Sequence, residues 1–245
     1  MTDPTHHGRW AATANMSLAL NTLHEAMEAG PGLPRIALFF GPSGYGKTVA
    51  SAHAAAVTDA AYVQAREVWT AKSLLMAIAH ELGIKHVRKT SYEIVDQIIE
   101  QLDRTQQPLI LDESDYLVKK QFVDIIRDIH DATNVPIMMI GEEALPGRLK
   151  EWERFDNRIL VATMAQPSTL ADGRLLRNIY CQRVRIEDDL VDHFTTRCKG
   201  ITRRIVANLN MAQRIAVDEL SMMSIDRAAW ADRPVMTGDV PVRRV

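Results

Sequence analysis

With 245 residues, 47% of them apolar, the chain can bury one full core and a small second one, and a formal net charge of −2 gives it no global pull toward nucleic acid or anionic membranes. No apolar run approaches the ~18 residues of a membrane span, and the opening MTDPTHHGRW lacks the apolar stretch of a secretory leader. The two cysteines, Cys181 and Cys198, have no metal-ligand spacing and read as reduced thiols, so the expectation is a soluble cytoplasmic protein whose polyanion contacts are local patches.

In chain order, a polar opening segment precedes a helical pattern over 12–29, with Met16, Leu20, Leu23 and Met27 at helical spacing. Gly30-Pro31-Gly32 stops it. Ile36–Phe40 is a continuous apolar run, read as a buried strand, and a glycine-rich turn leads from it into a helix beginning at Lys47. Tyr62–Ala65 predicts a second strand, followed by helices over 71–82 and 91–102. Pro108–Leu111 is a third strand, Leu117–Ala132 one amphipathic helix, Val135–Ile140 a fourth strand and Ile159–Ala162 a fifth. Apolar strands alternating with helices predict an α/β fold, a parallel five-stranded sheet sandwiched by helices. Beyond Pro167 the patterns are helical only, over 170–179, 190–198 and 201–220, which predicts a small α domain. The expected organisation is a tail and helix over 1–32, the α/β core over 33–166, the helical lid over 167–225 and a tail without clear period over 226–245. The methionine pairs Met138-Met139 and Met222-Met223 read as core filler.

The turn after the first strand carries the chemistry. Gly41-Pro42-Ser43-Gly44-Tyr45-Gly46-Lys47-Thr48 fits G-x-x-x-x-G-K-[ST] in full, with a strand before it and a helix, continuing through Val49, after it. The glycines let the backbone curl so that N–H groups point at phosphate oxygens, and the helix adds its positive N-terminal end. Lys47 is expected on the β- and γ-phosphates of ATP and the Thr48 hydroxyl on magnesium. The third strand ends in Asp112-Glu113, an electrostatic cost unless a cation sits nearby. Asp112 is expected in the magnesium shell and Glu113 as the group that orients and deprotonates the attacking water.

The phosphate loop, the Asp112-Glu113 strand, a fourth strand entering Gly141-Glu142, then Arg154-Phe155 and a helical lid together resemble an AAA+ P-loop ATPase, over roughly Leu33 to Leu220. The compact core and short lid are similar to the transposition ATPases of the Mu phage B protein and TniB type. That resemblance implies ATP-dependent binding of double-stranded DNA, self-assembly into rings or helical filaments, and recruitment and activation of a transposase. It also implies that Arg154, before Phe155, is offered to a neighbouring subunit's ATP, with Arg158 as rival, and that Arg203 in Gly200-Ile201-Thr202-Arg203 is the lid's sensor arginine, with Arg204 as the alternative. Glu142 is a departure: the superfamily usually has Asn, Ser or Thr where it stands, and near the γ-phosphate a carboxylate is repulsive unless paired. No helix-turn-helix module of the kind the Mu protein carries is recognised ahead of the core.

For DNA, the candidates are Lys85, Arg88 and Lys89 in a loop after Gly83, Lys119 and Lys120 beyond the acidic pair, and Arg204 in the basic stretch 199–214. Mobile positive charge suits phosphate contact without base reading. A solvated face is the alternative for each. Aromatic content of 6% argues against base stacking.

Overall fold

A computed structural model describes residues 10–238, which form two compact units. The core unit comprises Met16–Pro42 and Lys47–Ala165; the second comprises Ser43–Gly46, Gln166 onward and the described residues up to Asn15.

The core unit holds most of α1 (Ala14–Met27), then β1 (Ile36–Phe40), α2 (Lys47–Thr58), β2 (Ala61–Gln64), α3 (Ala71–Glu81), α4 (Ser91–Thr105), β3 (Leu109–Asp112), α5 (Asp115–Lys119), α6 (Val123–Thr133), β4 (Ile137–Gly141), α7 (Leu145–Leu149), α8 (Glu153–Asp156) and β5 (Ile159–Met164). Its five strands pair in the order β2-β3-β4-β1-β5, all parallel. β4 therefore lies between the strand that feeds the glycine-rich turn and the strand that ends in Asp112. Parallel strands need covering helices on both faces, which explains why β1, β3 and β4 read as unbroken apolar runs. On one face Ile36, Leu38, Leu109, Leu111, Ile137 and Met139 are buried against Leu74, Ile78, Ile94, Ile98, Ile126 and Ile129 of α3, α4 and α6. α2 packs on β2, β3 and β4.

β5 departs from the fully buried pattern because it is an edge strand: its residues are half-buried or exposed, and Thr163 accepts or donates a 2.8 Å hydroxyl bond with Thr22 of α1. The single helix expected over 117–132 is two helices. Gln121 adopts a left-handed φ of +62° between α5 and α6, and an α-helix cannot continue through that conformation.

The second unit packs α9 (Leu170–Tyr180), α10 (Asp188–Arg197) and α11 (Thr202–Asp218) with α12 (Arg227–Trp230), and two strands, β6 (Arg185–Ile186) and β7 (Ser224–Ile225), form a parallel pair. This corrects two expectations. The region beyond Pro167 is not purely helical, and two-residue strands are too short to show a period. Residues 226–238 are not a loose tail: Trp230 is fully buried, edge-on to Phe194 with ring centroids 5.0 Å apart. Asn208, also fully buried, holds the segment by accepting from the Met236 N–H at 2.9 Å and donating to the Met236 carbonyl at 3.1 Å. The rest of the expected tail, residues 239–245, lies outside the described residues. Met138 and Met139 are core, as read, but Met222 and Met223 are exposed; Met223 instead supplies a carbonyl to the Arg185 N–H. Both cysteines are free. Among the described residues, no helix is long and apolar enough to cross a membrane.

Candidate functional site

Parallel strands deliver their C-terminal ends to one edge of the sheet, where ligands of open α/β sheets bind. β1 ends there in Gly41-Pro42, and the chain re-enters the core unit at Lys47, the first residue of α2. Lys47 Nζ donates to the Gly41 carbonyl at 2.7 Å and to the Pro42 carbonyl at 3.0 Å. Burial lowers the lysine's affinity for its proton, and Asp112, Glu113, Glu142 and Asp115 counter that in turn. Four carboxylates facing one ammonium define a site whose positive charge is scarce. Thr48 and Val49 follow on the first turn of α2, Thr48 half-buried and Val49 exposed.

β3 ends in Asp112, only 2% exposed. Its Oδ1 accepts the Glu113 N–H at 2.8 Å, and its Oδ2 accepts the Tyr62 hydroxyl at 2.7 Å. Glu113 then takes a left-handed φ of +55°. A non-glycine residue there costs on the order of 1–3 kcal/mol and persists only when its surroundings over-determine it. Here they do: the Ser114 N–H donates to the Ile140 carbonyl, the Ser114 hydroxyl to the Leu111 carbonyl, and the Tyr116 N–H to the Glu113 carbonyl, at 2.8, 2.8 and 3.0 Å. Burial, and then the neighbouring Asp112, raise the Glu113 carboxyl above the ordinary glutamate value while Lys47 opposes. That is the environment of a carboxylate made more basic than usual.

β4 ends in Gly141, and the Glu142 N–H donates to Asp115 Oδ2 at 2.6 Å while Asp115 Oδ1 accepts from Arg148 at 2.9 Å. A Cβ on residue 141 would run into the Asp115 carboxylate, so the close approach of β4 to α5 requires glycine there. The Glu142 side chain itself is exposed. Glu113, Asp115, Tyr116, Glu142, Arg148 and Trp152 line an open cleft of about 660 Å³.

Among the described residues, no group of three or more His, Cys, Asp or Glu side chains is arranged to hold a metal on protein ligands alone. The donors present, one hydroxyl at Thr48 and one buried carboxylate at Asp112, are hard oxygens too few for a complete shell. Such a set suits Mg²⁺, which keeps waters and takes the rest of its shell from substrate phosphates.

In the second unit, Ser43, Gly44, Tyr45 and Gly46 group with the start of α11. Gly44 and Gly46 adopt φ of +85° and +81°, which side-chain-bearing residues rarely take. The Arg203 N–H donates to the Gly44 carbonyl at 3.0 Å, the Asn15 amide donates to the Tyr45 carbonyl at 2.9 Å, and a Cβ on Gly44 would press on Ile201. The Arg203 side chain is exposed; Arg204 is half-buried, its guanidinium against Gly238.

The two arginines of the α8 region differ. Arg158 forms a two-pronged pair with Asp131, both N···O distances 2.7 Å, and also donates to the Arg154 carbonyl at 2.5 Å. Arg154 is exposed. Lys85, Arg88 and Lys89 are exposed too, but their loop is not loose: Gln97 accepts the Arg88 N–H and donates to the His86 carbonyl, and Glu93, capping α4 at Thr90, feels Arg88. An acid therefore stands beside this basic loop. Lys119 pairs with Glu67 at 2.7 Å, which neutralises part of that patch, and Lys120 is half-buried. Sequence reasoning missed Tyr62 and Asp115; each acts across strand ends, and neither stands in a recognised motif.

With that geometry in place, the chain has the α/β fold of AAA+ P-loop NTPases, and residues 32–149 match the family described as an AAA domain. Among solved structures, the chain is similar to the Aeropyrum pernix Orc1 protein in complex with DNA (21% identity, TM-score 0.58, covering 83% of this chain and 59% of that one). It is similar also to Cdc6p from Pyrobaculum aerophilum (15% identity, TM-score 0.65, 91% and 66%) and to a point mutant of Thermotoga maritima RuvB (21% identity, TM-score 0.54, 88% and 65%). The chain thus spans about 59–66% of the length of those three chains. No curated protein sequence gave a significant match.

Proposed function

We propose that the protein is a magnesium-dependent ATPase that couples nucleotide to assembly on double-stranded DNA. The observation that carries the ATPase reading is that two strand ends fall at one edge of the same sheet, on either side of β4: the β1 end, leading to Lys47 and Thr48, and the β3 end with buried Asp112 and left-handed Glu113. In this reading Gly41–Thr48 cradles the phosphates, Lys47 holds the β- and γ-phosphates, and Thr48 and Asp112 hold the magnesium shell. The metal, when bound, neutralises charge on the phosphate oxygens. Glu113 orients water and accepts its proton. Asp115, by fixing the Glu142 N–H, sets where the end of β4 meets that water; the exposed Glu142 carboxylate is free to turn away.

Arg154, exposed, is the better candidate for a group offered in trans, because Arg158 is committed to Asp131. Arg203 is the lid's candidate sensor. A trans arginine requires neighbours, which supports the ring or filament reading. The specific role in transposition, with a transposase as partner, rests on the resemblance to Mu B and TniB. A second reading, an initiator or helicase loader, is favoured by the likeness to Orc1 in complex with DNA and to Cdc6p. A signalling NTPase that never meets DNA is the third.

ATPase activity with and without duplex DNA, followed by electron microscopy with a non-hydrolysable ATP analogue, separates them. DNA-stimulated turnover and rings or filaments around duplex are expected. Turnover indifferent to DNA at every protein concentration would remove DNA from the proposal. Co-purification with an integrase-type recombinase, rather than a helicase, distinguishes transposition from loading.

A further inference from the structure

Tyr62 stands on β2, outside the phosphate loop and outside the acidic pair. In the parallel register it lies opposite Ile110, while the residue opposite Asp112 is Gln64. Side chains alternate along a strand, so Tyr62, Ile110 and Asp112 share one face of the sheet, and Tyr62 is diagonal to Asp112 at a spacing that an aromatic side chain can span. The diagonal is closed by the 2.7 Å bond from the tyrosine hydroxyl to Asp112 Oδ2. Asp112 Oδ1 is held by the Glu113 N–H at 2.8 Å. One bond on each oxygen fixes the rotation of a carboxylate that is 2% exposed and leaves each oxygen a further lone pair.

We propose that Tyr62 is a positioning residue for the metal-bearing carboxylate: its hydroxyl holds Asp112 in the orientation that receives the magnesium shell. The inference rests on the reading of Asp112 given under Proposed function and adds a residue to it. A carboxylate tied only by its neighbour's N–H can swing about its Cβ–Cγ bond, and the ordering then has to accompany metal binding. Partners of metal-ligating groups act in this way, by preorganising the ligand. The hydroxyl is bonded to Asp112 and stands on β2, outside the phosphate loop, so on this inference its removal affects the metal and leaves nucleotide recognition by that loop intact.

The test is a fluorescence titration with a mant-labelled ATP analogue, in EDTA and across Mg²⁺ concentrations, on wild type and Tyr62→Phe, with melting curves of both. The expected result is an EDTA affinity close to wild type, a similar melting temperature, and a Mg²⁺ half-saturation concentration raised by about tenfold. In an Asp112→Ala background the same substitution should leave half-saturation unchanged, because the acceptor of the hydroxyl bond is gone. Tyr62→Met gives the same readout should the phenylalanine variant not fold. An unshifted Mg²⁺ half-saturation in Tyr62→Phe, against a wild type that responds to Mg²⁺, would overturn this inference alone, as would an equal shift in the Asp112→Ala background. A lowered melting temperature with unshifted half-saturation would make the hydroxyl structural and also overturn it. Wild-type protein that binds no nucleotide in either buffer would overturn the ATP-site reading, and this one with it.

Discussion

In the second unit, Asn208 is fully buried and directs its polar atoms at its own fold: Arg204 and Met236 carbonyls accept its amide, and its oxygen takes the Met236 N–H. At the strand ends of the core unit, Asp112 is nearly as buried, but it is a charge, and its bonds come from a tyrosine hydroxyl and the next residue's N–H rather than, among the described residues, from a cationic side chain. Beside it Glu113 is held at a backbone angle that costs energy. Buried neutral amides satisfied by backbone stabilise a fold, whereas a buried carboxylate next to a strained one is a local cost that a ligand can offset. Under the proposed function, the difference separates residues that hold this protein together from residues assigned to its nucleotide chemistry.

That separation can be broken by substitution. Trp230→Ala removes the largest fully buried side chain of the second unit and should destabilise by about 3–5 kcal/mol in urea denaturation. Loss of less than about 1 kcal/mol would return residues 226–238 to the status of a tail. Asn208→Ala leaves the Met236 N–H without its Asn208 acceptor and the Met236 carbonyl with the weak Cys198 thiol donor, and should cost about 1–3 kcal/mol, with ATP hydrolysis per folded molecule unchanged. Conversely, Glu113→Gly releases the left-handed strain and should hold or raise stability, by up to about 1 kcal/mol, while hydrolysis disappears. A Glu113→Gly protein that melts well below wild type would mean the conformation is not strained.

The smallest effect concerns pH. His130 is buried and accepts the Arg35 N–H on Nε2; burial lowers its affinity for a proton, with Asp131 opposing and Arg158 and Arg35 assisting. The native state therefore prefers neutral imidazole, and the unfolded chain binds the proton first as pH falls below the ordinary value of 6.5. Stability contributed by neutral His130 is complete above that value and declines as pH falls below it, by about 1 kcal/mol or less between pH 6.5 and 5.5. His130→Gln should flatten the decline in denaturation midpoints measured across that range.

The phosphate loop and the runs Ile36–Phe40, Pro108–Leu111 and Val135–Ile140 were legible because their signals are contiguous: a fixed spacing of glycines and lysine, and strands apolar on both faces. Tyr62 and Asp115 were not, because their roles depend on strand register and on ends that come together from positions 50 and 27 residues apart. The break at Gln121 hid inside an unbroken amphipathic pattern, since nothing in a glutamine announces a left-handed backbone. Trp230 hid among prolines and a glycine, which argue for a turn and say nothing about what a single large apolar side chain will cover.

The proposed ATPase chemistry divides its labour between Asp112, on the metal, and Glu113, on the water. Parallel measurement of ATP-analogue binding and phosphate release by wild type and Glu113→Gln, in Mg²⁺ and with duplex DNA present, tests it. Near-wild-type binding is expected, with turnover reduced by roughly 10²–10⁴-fold, the contribution of a positioned general base. A Glu113→Gln protein that releases phosphate at the wild-type rate would contradict that division.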